Sequence, residues 1–167
     1  IARRMALIKR IGPYDAAVRC GNWAIRESLA VGELSGRRLL LLGFGRIGRE
    51  VARRASAFDM GVTVFDPFVD RAEILTLGYR QTDDWRAALP GADVLSLHLP
   101  LTGDTQGLIG ADELAVMKPT AVLINAARGG LVDETALATA LCGPMAQGGA
   151  GLECFAQEPP RSDHPLF

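Results

Sequence analysis

The stretch LLLLGFGRIG at residues 39–48 decides the fold of this chain. Its four leucines form an apolar run without alternation, which is typical of a strand buried on both faces. Three glycines follow with the GxGxxG spacing that joins a strand to a dinucleotide-binding helix. The residues after them predict a helix with one apolar face, formed by Ile47, Val51, Ala55 and Phe58.

Each glycine of this loop has its own physical reason. Gly43 permits a tight turn, Gly45 lets the backbone approach a pyrophosphate, and Gly48 lets the helix pack closely on the strand. The helix N-terminus attracts the anion. Asp66 ends the next predicted strand, where its carboxylate would accept hydrogen bonds from a ribose and repel a 2′-phosphate. The pattern favours NAD over NADP, and the alternative is a glycine-rich turn without a ligand.

Strands and helices alternate outward from this loop. The predicted strands are residues 39–42, 62–65, 93–99, 121–124 and 148–154, with a short one around Tyr79. The predicted helices are residues 1–11, 47–58, 83–89, 112–118 and 133–141, with a possible short one at 15–18. Gly12-Pro13 is expected to stop the first helix. The alternation predicts an α/β fold, a doubly wound parallel sheet of the Rossmann type.

Composition narrows the class of protein. The chain has 167 residues and a net charge of −1, which argues against a general binder of nucleic acid or of membrane surfaces. Its longest apolar runs, of which residues 39–42 are one, are far shorter than the ~20 residues of a membrane span. Three cysteines without a CxxC pair predict neither a disulfide framework nor a metal site. These features favour a cytoplasmic domain.

Polar residues follow the later strands, where a doubly wound sheet binds its ligands. Arg128 could hold a carboxylate in a bidentate manner and polarise a carbonyl, or could form a surface salt bridge. Glu158 could orient a catalytic imidazole, or be a solvated loop residue. His98 is expected to be a packing or ribose-neighbouring residue rather than an acid/base, and His164 to be exposed.

Three smaller expectations concern burial. Trp23 is expected to hold the connector after the first helix against the domain. Cys142 and Cys154 are interpreted as small buried apolar groups.

Five ordered motifs give the chain a family resemblance. They are residues 43–48 (GFGRIG), 64–67 (VFDP), 95–105 (LSLHLPLTGDT), 124–134 (INAARGGLVDE) and 151–160 (GLECFAQEPP). From about residue 36 to its end, the chain resembles the nucleotide-binding domain of the D-isomer-specific 2-hydroxyacid dehydrogenases, the family of D-3-phosphoglycerate dehydrogenase. Its first helix is similar to the family's linking helix.

The resemblance implies a role for each matching residue. Arg128 matches the substrate-binding arginine, and Glu158 matches the glutamate that hydrogen-bonds the catalytic histidine. The matching cofactor positions are Gly43, Gly45, Arg46, Ile47, Gly48, Asp66, Leu99, Pro100, Thr105, Ala126, Ala127, Arg128 and Glu153. Family members usually dimerise through this domain, so a homodimer is expected.

The chain departs from the family pattern in three ways. Glu153 stands where the family usually has an Asp that meets the nicotinamide amide. The family's acid/base histidine lies beyond the stretch that ends here, and His164 does not match it. The family builds its substrate domain from segments on both sides of this one, and we expect neither within residues 1–167. We therefore expect a linking helix and connector at 1–35, an NAD-binding domain at 36–158, and the start of a return segment at 159–167.

The resemblance implies hydride transfer between NAD and a small D-2-hydroxy or 2-keto acid, with 3-phosphoglycerate as the first candidate. Glyoxylate, D-lactate and formate are alternative substrates within the family. An NAD-dependent corepressor-like module and an adenosylhomocysteine hydrolase are alternatives of other classes. Arg128 and Glu158, each in its motif, argue against the hydrolase. The chain alone is expected to bind NAD but to catalyse the turnover of substrate very poorly.

Overall fold

The apolar run at residues 39–42 lies at the centre of a parallel sheet in the computed structural model, which describes residues 2–28 and 32–167. Ile1 of the predicted first helix and residues 29–31 of the predicted connector lie outside this description. The strands are β1 Arg38–Leu42, β2 Gly61–Phe65, β3 Arg80–Gln81, β4 Val94–Leu97, β5 Val122–Asn125 and β6 Gly149–Leu152. Their order in the sheet is β3-β2-β1-β4-β5-β6, with every pairing parallel.

This order reverses between β1 and β4, which confirms the doubly wound Rossmann arrangement. The α-helices are α1 Ala2–Ile8, α2 Ile11–Arg19, α3 Ile25–Ser28, α4 Arg46–Ser56, α5 Arg71–Thr76, α6 Trp85–Ala88, α7 Ala111–Ala115 and α8 Glu134–Cys142. Single 3₁₀ turns are formed by Leu89–Gly91 and Gly129–Leu131.

The four leucines of β1 separate the two halves of the core. Leu40 and Leu42 belong to the cluster on one face of the sheet, while Leu39 and Leu41 belong to the cluster on the other. Successive side chains of a strand point to opposite faces, so an uninterrupted apolar run is what a sheet covered on both faces requires.

Aspartates begin several of the helices that follow the strands. Asp70, Asp84 and Asp133 are the N-caps of α5, α6 and α8, and each accepts a hydrogen bond from a backbone N–H of the first turn. The helix predicted at 133–141 is thus observed, with Asp133 as its cap and Glu134 as its first helical residue.

Gly12-Pro13 does not end a helix, contrary to the sequence prediction. The chain turns at Arg10, which has a left-handed backbone, and α2 then begins at Ile11. Pro13 lies in the first turn of α2, where its missing N–H has no partner to lose. The short helix expected at 15–18 is therefore part of a longer one.

The burial predicted for Ile47 and Trp23 was also wrong, and one helix was missed. The buried residues of α4 are Gly48, Ala52 and Ala55, whereas Ile47 is 64% exposed. Trp23 is 65% exposed and does not hold the connector down. Helix α5 was not predicted, because its sequence RAEILT is too short to show a helical period.

Among the helices of the described part of the chain, none combines the length and apolar character needed to cross a bilayer. Residues 2–28 and 32–167 also contain no group of three or more His, Cys, Asp or Glu side chains arranged to hold a metal ion.

Candidate cofactor and substrate site

The predicted site residues follow the carboxyl ends of neighbouring parallel strands, so the fold brings them to one edge of the sheet. The glycine loop follows β1, Asp66 follows β2, and the 98–105 loop follows β4. Ala126, Ala127 and Arg128 follow β5, and Glu153 follows β6.

The glycine loop has the geometry that its spacing predicts. Gly43 has a φ of +93°, and a β-carbon there would lie 2.5 Å from the carbonyl oxygen of His98. A β-carbon at Gly48 would overlap the carbonyl oxygen of Gly43, so α4 packs against β1 only because this residue has no side chain. At Gly45 the same construction meets nothing within 4 Å, which leaves the backbone open to a ligand.

The first turn of α4 faces this open backbone. Gly45 is the N-cap of α4, and its backbone is extended. The next two residues, Arg46 and Ile47, are both exposed. Unpaired N–H groups of a helix N-terminus and a guanidinium attract a diphosphate.

Asp66 is tied to the glycine loop. Its Oδ2 accepts a hydrogen bond from the Phe44 N–H at 2.7 Å, and its Oδ1 accepts one from the Phe68 N–H at 2.9 Å. The carboxylate thus fixes the loop while its remaining lone pairs stay available for ribose hydroxyls.

Phe44 is an anchor of the loop that the sequence pattern does not show, since any residue satisfies the x of GxGxxG. Its side chain is fully buried, and its ring lies edge-on to Tyr79 at 5.8 Å. The guanidinium of Arg49 lies 4.7 Å from the ring centroid and pairs with Glu73 at 2.5 Å. These contacts hold the middle of the loop in the core while Gly45 stays at the surface.

The loop after β4 is closed by Thr105. Its hydroxyl donates to the Pro100 carbonyl at 2.7 Å and accepts from the Thr102 N–H at 2.8 Å. Leu99 is half-buried at the edge of the core. These two hydrogen bonds of Thr105 therefore fix the turn that begins with Leu99 and Pro100 at the end of β4. His98 is half-buried, with Nε2 2.9 Å from the hydroxyl of buried Ser96.

Asn125 shapes the loop that carries Arg128. Its buried amide donates from Nδ2 to the Arg128 carbonyl at 2.8 Å and accepts at Oδ1 from the Ala127 N–H at 3.1 Å. Ala126 and Ala127 are half-buried. Arg128 is exposed, and its Nη1 donates to the Ala127 carbonyl at 2.7 Å. The structure therefore shows an exposed guanidinium on a rigid turn, and residues 2–28 and 32–167 place no carboxylate against it in an ion pair.

The Arg128 loop and the loop carrying Glu158 are in backbone contact. A β-carbon at Gly129 would overlap the Phe155 carbonyl, so this contact requires glycine. Glu158 folds back on its own loop, because its Oε1 accepts a hydrogen bond from the Phe155 N–H at 2.9 Å.

Glu134 and His164 hold the second loop from the other side. Glu134 Oε1 accepts from the Ala156 N–H at 2.7 Å, and Oε2 lies 2.9 Å from His164 Nε2. The two side chains are only 13% and 15% exposed, so the expectation of an exposed His164 was wrong. His164 Nδ1 accepts from the Leu166 N–H at 3.3 Å, which places the ring proton on Nε2, where it donates to Glu134.

Cys154 lies among the charges of the site. Burial raises the pKa of its thiol, and the carboxylate of Glu158 raises it further. Arg128 lowers that pKa and Glu153 raises it, so all three charged side chains act on this one thiol. Cys154 is half-buried, whereas Cys142 is exposed, contrary to the sequence interpretation.

Glu153 does not stand alone at the end of β6. Its Oε1 accepts a hydrogen bond from Arg3 Nε at 2.9 Å. Arg3 lies in α1, so this ion pair joins the first helix to the strand end.

The strand order, the open Gly45 backbone at a helix N-terminus and the acid at the end of β2 define a dinucleotide-binding domain of the Rossmann type. The family profile described as D-isomer specific 2-hydroxyacid dehydrogenase, NAD binding domain, matches residues 1–167. The chain therefore belongs to this family as its NAD-binding domain.

Individual relatives agree with this assignment. The chain is 43% identical over 169 residues to the D-3-phosphoglycerate dehydrogenase of Mycobacterium tuberculosis, covering 100% of the chain and 31% of that protein. It is 40% identical over 166 residues to the glycerate dehydrogenase of Methylorubrum extorquens, covering 96% and 50%.

A solved structure shows the same fold. The D-lactate dehydrogenase of Aquifex aeolicus, complexed with NAD and lactic acid, superposes with a TM-score of 0.88 at 31% identity, over 99% of this chain and 52% of that one. The chain thus spans between about a third and a half of the length of these relatives.

Proposed function

We propose that the intact protein containing this domain transfers a hydride between NAD and a small D-2-hydroxy or 2-keto acid. The observation that carries the proposal is the exposed Arg128, held by Asn125 on a turn in backbone contact with the Glu158 loop. A substrate carboxylate is the natural partner of a fixed guanidinium.

The residues of the chain fit NAD. Gly45 and the N-terminus of α4, with Arg46 and Ile47, would hold the pyrophosphate, and Asp66 would hold the ribose of the adenosine half. Leu99, Pro100, Ala126 and Ala127, with Thr105 shaping the turn, would line the path toward the nicotinamide. When bound, NAD supplies the hydride acceptor.

Arg128 would orient the substrate carboxylate and stabilise negative charge that develops on the carbonyl oxygen when a 2-keto acid is reduced. Glu158 would orient a histidine supplied by a part of the protein outside this sequence, which would move the proton at the substrate oxygen. Removing such an acid/base costs about 10²–10⁴-fold in rate. We therefore propose that the chain alone binds NAD but turns over very poorly.

We propose the division of the chain into segments on the same family resemblance. Residues 1–35 would link to a substrate domain, 36–158 would bind NAD, and 159–167 would begin the return. 3-Phosphoglycerate is the first candidate substrate, because relatives that cover the chain fully are D-3-phosphoglycerate dehydrogenases. The D-lactate dehydrogenase match keeps other 2-hydroxy acids open, D-lactate among them.

Two measurements test the proposal. Calorimetric titration of the chain should show NAD binding and weaker NADP binding, and absence of NAD binding to folded chain would overturn it. The intact protein should reduce NAD with one of a panel of 2-hydroxy acids.

Arg128→Met should lower kcat/KM of the intact protein by 10²-fold or more. Arg53→Met, on the last turn of α4, is the control. Full NAD binding without turnover of any acid would favour the corepressor-like alternative.

We further propose a homodimer that assembles through α2. No residue of α2 is buried, and its Ile11 and Val18 expose apolar side chains, as does Trp23 in the connector that follows. A second copy of the chain would cover that surface. Light scattering after size-exclusion chromatography should give twice the monomer mass, and Val18→Asp should give the monomer.

A cytoplasmic location is also part of the proposal. It is supported by Cys20, Cys142 and Cys154, which are all free thiols. Fractionation of cells should place the intact protein with cytoplasmic markers.

A further inference from the structure

An ion pair joins α1 to the end of the last strand. Arg3 Nε donates to Glu153 Oε1 at 2.9 Å, and the side chains are 51% and 52% exposed. A pair this exposed contributes little to stability, because water and salt screen it. The contact does favour one orientation of the Glu153 carboxylate, with Oε1 toward Arg3 of α1.

The backbone of β6 is shaped to admit Arg3. A β-carbon at Gly151 would lie 3.2 Å from Arg3 Cβ and 2.9 Å from Ile124 Cδ1. A side chain at this position would require Ile124 and Arg3 to shift. Glycine here lets Arg3 lie against β6, two residues before Glu153, within reach of its carboxylate.

Glu153 needs such a partner. It stands at the position that resembles the family's nicotinamide-contacting Asp, and its side chain has one more rotatable bond. An unsupported glutamate would lose this extra rotamer freedom on binding a ligand. The hydrogen bond from Arg3 favours one orientation of this carboxylate and so reduces the freedom that ligand binding would have to remove.

We propose that Arg3 is a positioning residue for the nicotinamide end of the cofactor, acting through Glu153. The proposal rests on the NAD site proposed above and on the family resemblance that assigns Glu153 to its nicotinamide end. Arg3 donates its hydrogen bond to Oε1 of Glu153. Oε2 then accepts an N–H of the nicotinamide carboxamide, since one carboxylate has lone pairs for several donors.

The test compares two ligands that differ at the nicotinamide end. NADH contains the carboxamide on an uncharged ring, and ADP-ribose lacks the nicotinamide altogether. Calorimetric titration of the chain with both should show that Arg3→Met weakens NADH binding about five-fold, as expected for one lost hydrogen bond. ADP-ribose binding should stay the same, and Arg3→Lys should restore part of the loss.

Two further variants separate positioning from other effects. Arg19→Met removes a similar pair, because Arg19 Nε donates to Asp15 at 2.8 Å on α2, and it should change neither affinity. In a Glu153→Ala background, Arg3→Met should have no further effect on NADH binding. Thermal unfolding of the Arg3 variants should stay within a degree or two of the parent chain.

Several outcomes would overturn the inference without touching the proposed function. They are equal weakening of NADH and ADP-ribose by Arg3→Met, no change in either, and tighter NADH binding, which would mean that Arg3 competes with the cofactor for Glu153. If the parent chain bound neither ligand, the proposed NAD site itself would fail.

Discussion

Asp66 accepts a hydrogen bond from the backbone N–H of Phe44 at 2.7 Å, so the acid at the end of β2 holds the middle of the glycine loop that follows β1. One carboxylate therefore serves the loop and the proposed ribose site together. Phe44 completes the attachment by placing its ring in the core.

We expect Asp66→Asn to weaken NAD binding by about ten-fold and to narrow the preference for NAD over NADP. The amide keeps one acceptor but loses the charge that strengthens each hydrogen bond and that repels a 2′-phosphate. Calorimetry with both dinucleotides measures the change. Asp70→Asn is the control, since Asp70 caps α5 through the Ala72 N–H. An unchanged NAD to NADP ratio would contradict the assignment of Asp66.

Two glycines of the loop should respond in opposite ways to alanine. Gly45→Ala adds a methyl group into open space, so the chain should unfold at an unchanged temperature but bind NAD much more weakly. Gly48→Ala forces a methyl group onto the Gly43 carbonyl, so it should destabilise the fold by about 2 kcal/mol or more. Thermal unfolding and NAD titration of both variants separate these effects. A stable Gly48→Ala chain would show that α4 can move away from β1.

Asp93 should give the domain a measurable pH dependence. Burial opposes its charge, but hydrogen bonds from Lys118 Nζ at 2.7 Å and from the Arg38 N–H at 2.8 Å outweigh burial, so its pKa is lowered in the folded chain. A lowered pKa stabilises the folded chain fully above the unfolded value of about 3.9, and the contribution is lost as pH falls through the folded value.

Asp93→Asn should therefore lower the free energy of unfolding by about 2 kcal/mol at pH 7. In acid, the free energies of unfolding of the variant and the parent chain should become equal. Urea unfolding at several pH values measures this difference. The exposed Asp104 provides the control Asp104→Asn, which should match the parent chain throughout. A constant difference between Asp93→Asn and the parent across all pH values would exclude the charge as the cause.

Glu134→Ala should loosen the loop that carries Glu158. The Ala156 N–H loses its acceptor, and His164 loses its carboxylate partner. Hydrogen exchange at Ala156 should accelerate ten-fold or more, while exchange at Ala87, which is capped by Asp84, should stay unchanged. Thr135→Ala, in the same turn of α8, should leave both rates as they are.

The sequence was sufficient to predict the sheet and the edge where the site lies. Residues 39–42 and 121–124 are uninterrupted apolar runs, and this composition alone predicts strands buried on both faces. The close contacts at positions 43 and 48 admit only glycine, so the residue type itself indicates them. These signals are local, so a single sequence shows them.

The missed features depend on contacts between distant parts of the chain. His164 is largely covered and hydrogen-bonds Glu134, thirty positions earlier, and no local pattern indicates that pairing. Ile47 fits an apolar helix face but lies in the first turn beside the open loop, where the sheet does not cover it. Pro13 reads as a helix stop unless the restart at Ile11 is known.

The position of β1 also determines how the domain responds to its ligand. β1 pairs with β2 on one side and with β4 on the other, so the first and second βαβ units meet along this strand. A dinucleotide bound across the strand ends at that seam is a non-covalent cross-link between the two units, and unfolding must release it. Such a ligand adds about 2.7 kcal/mol of stability at a hundred times its dissociation constant, so we expect bound NAD to slow proteolysis of this domain.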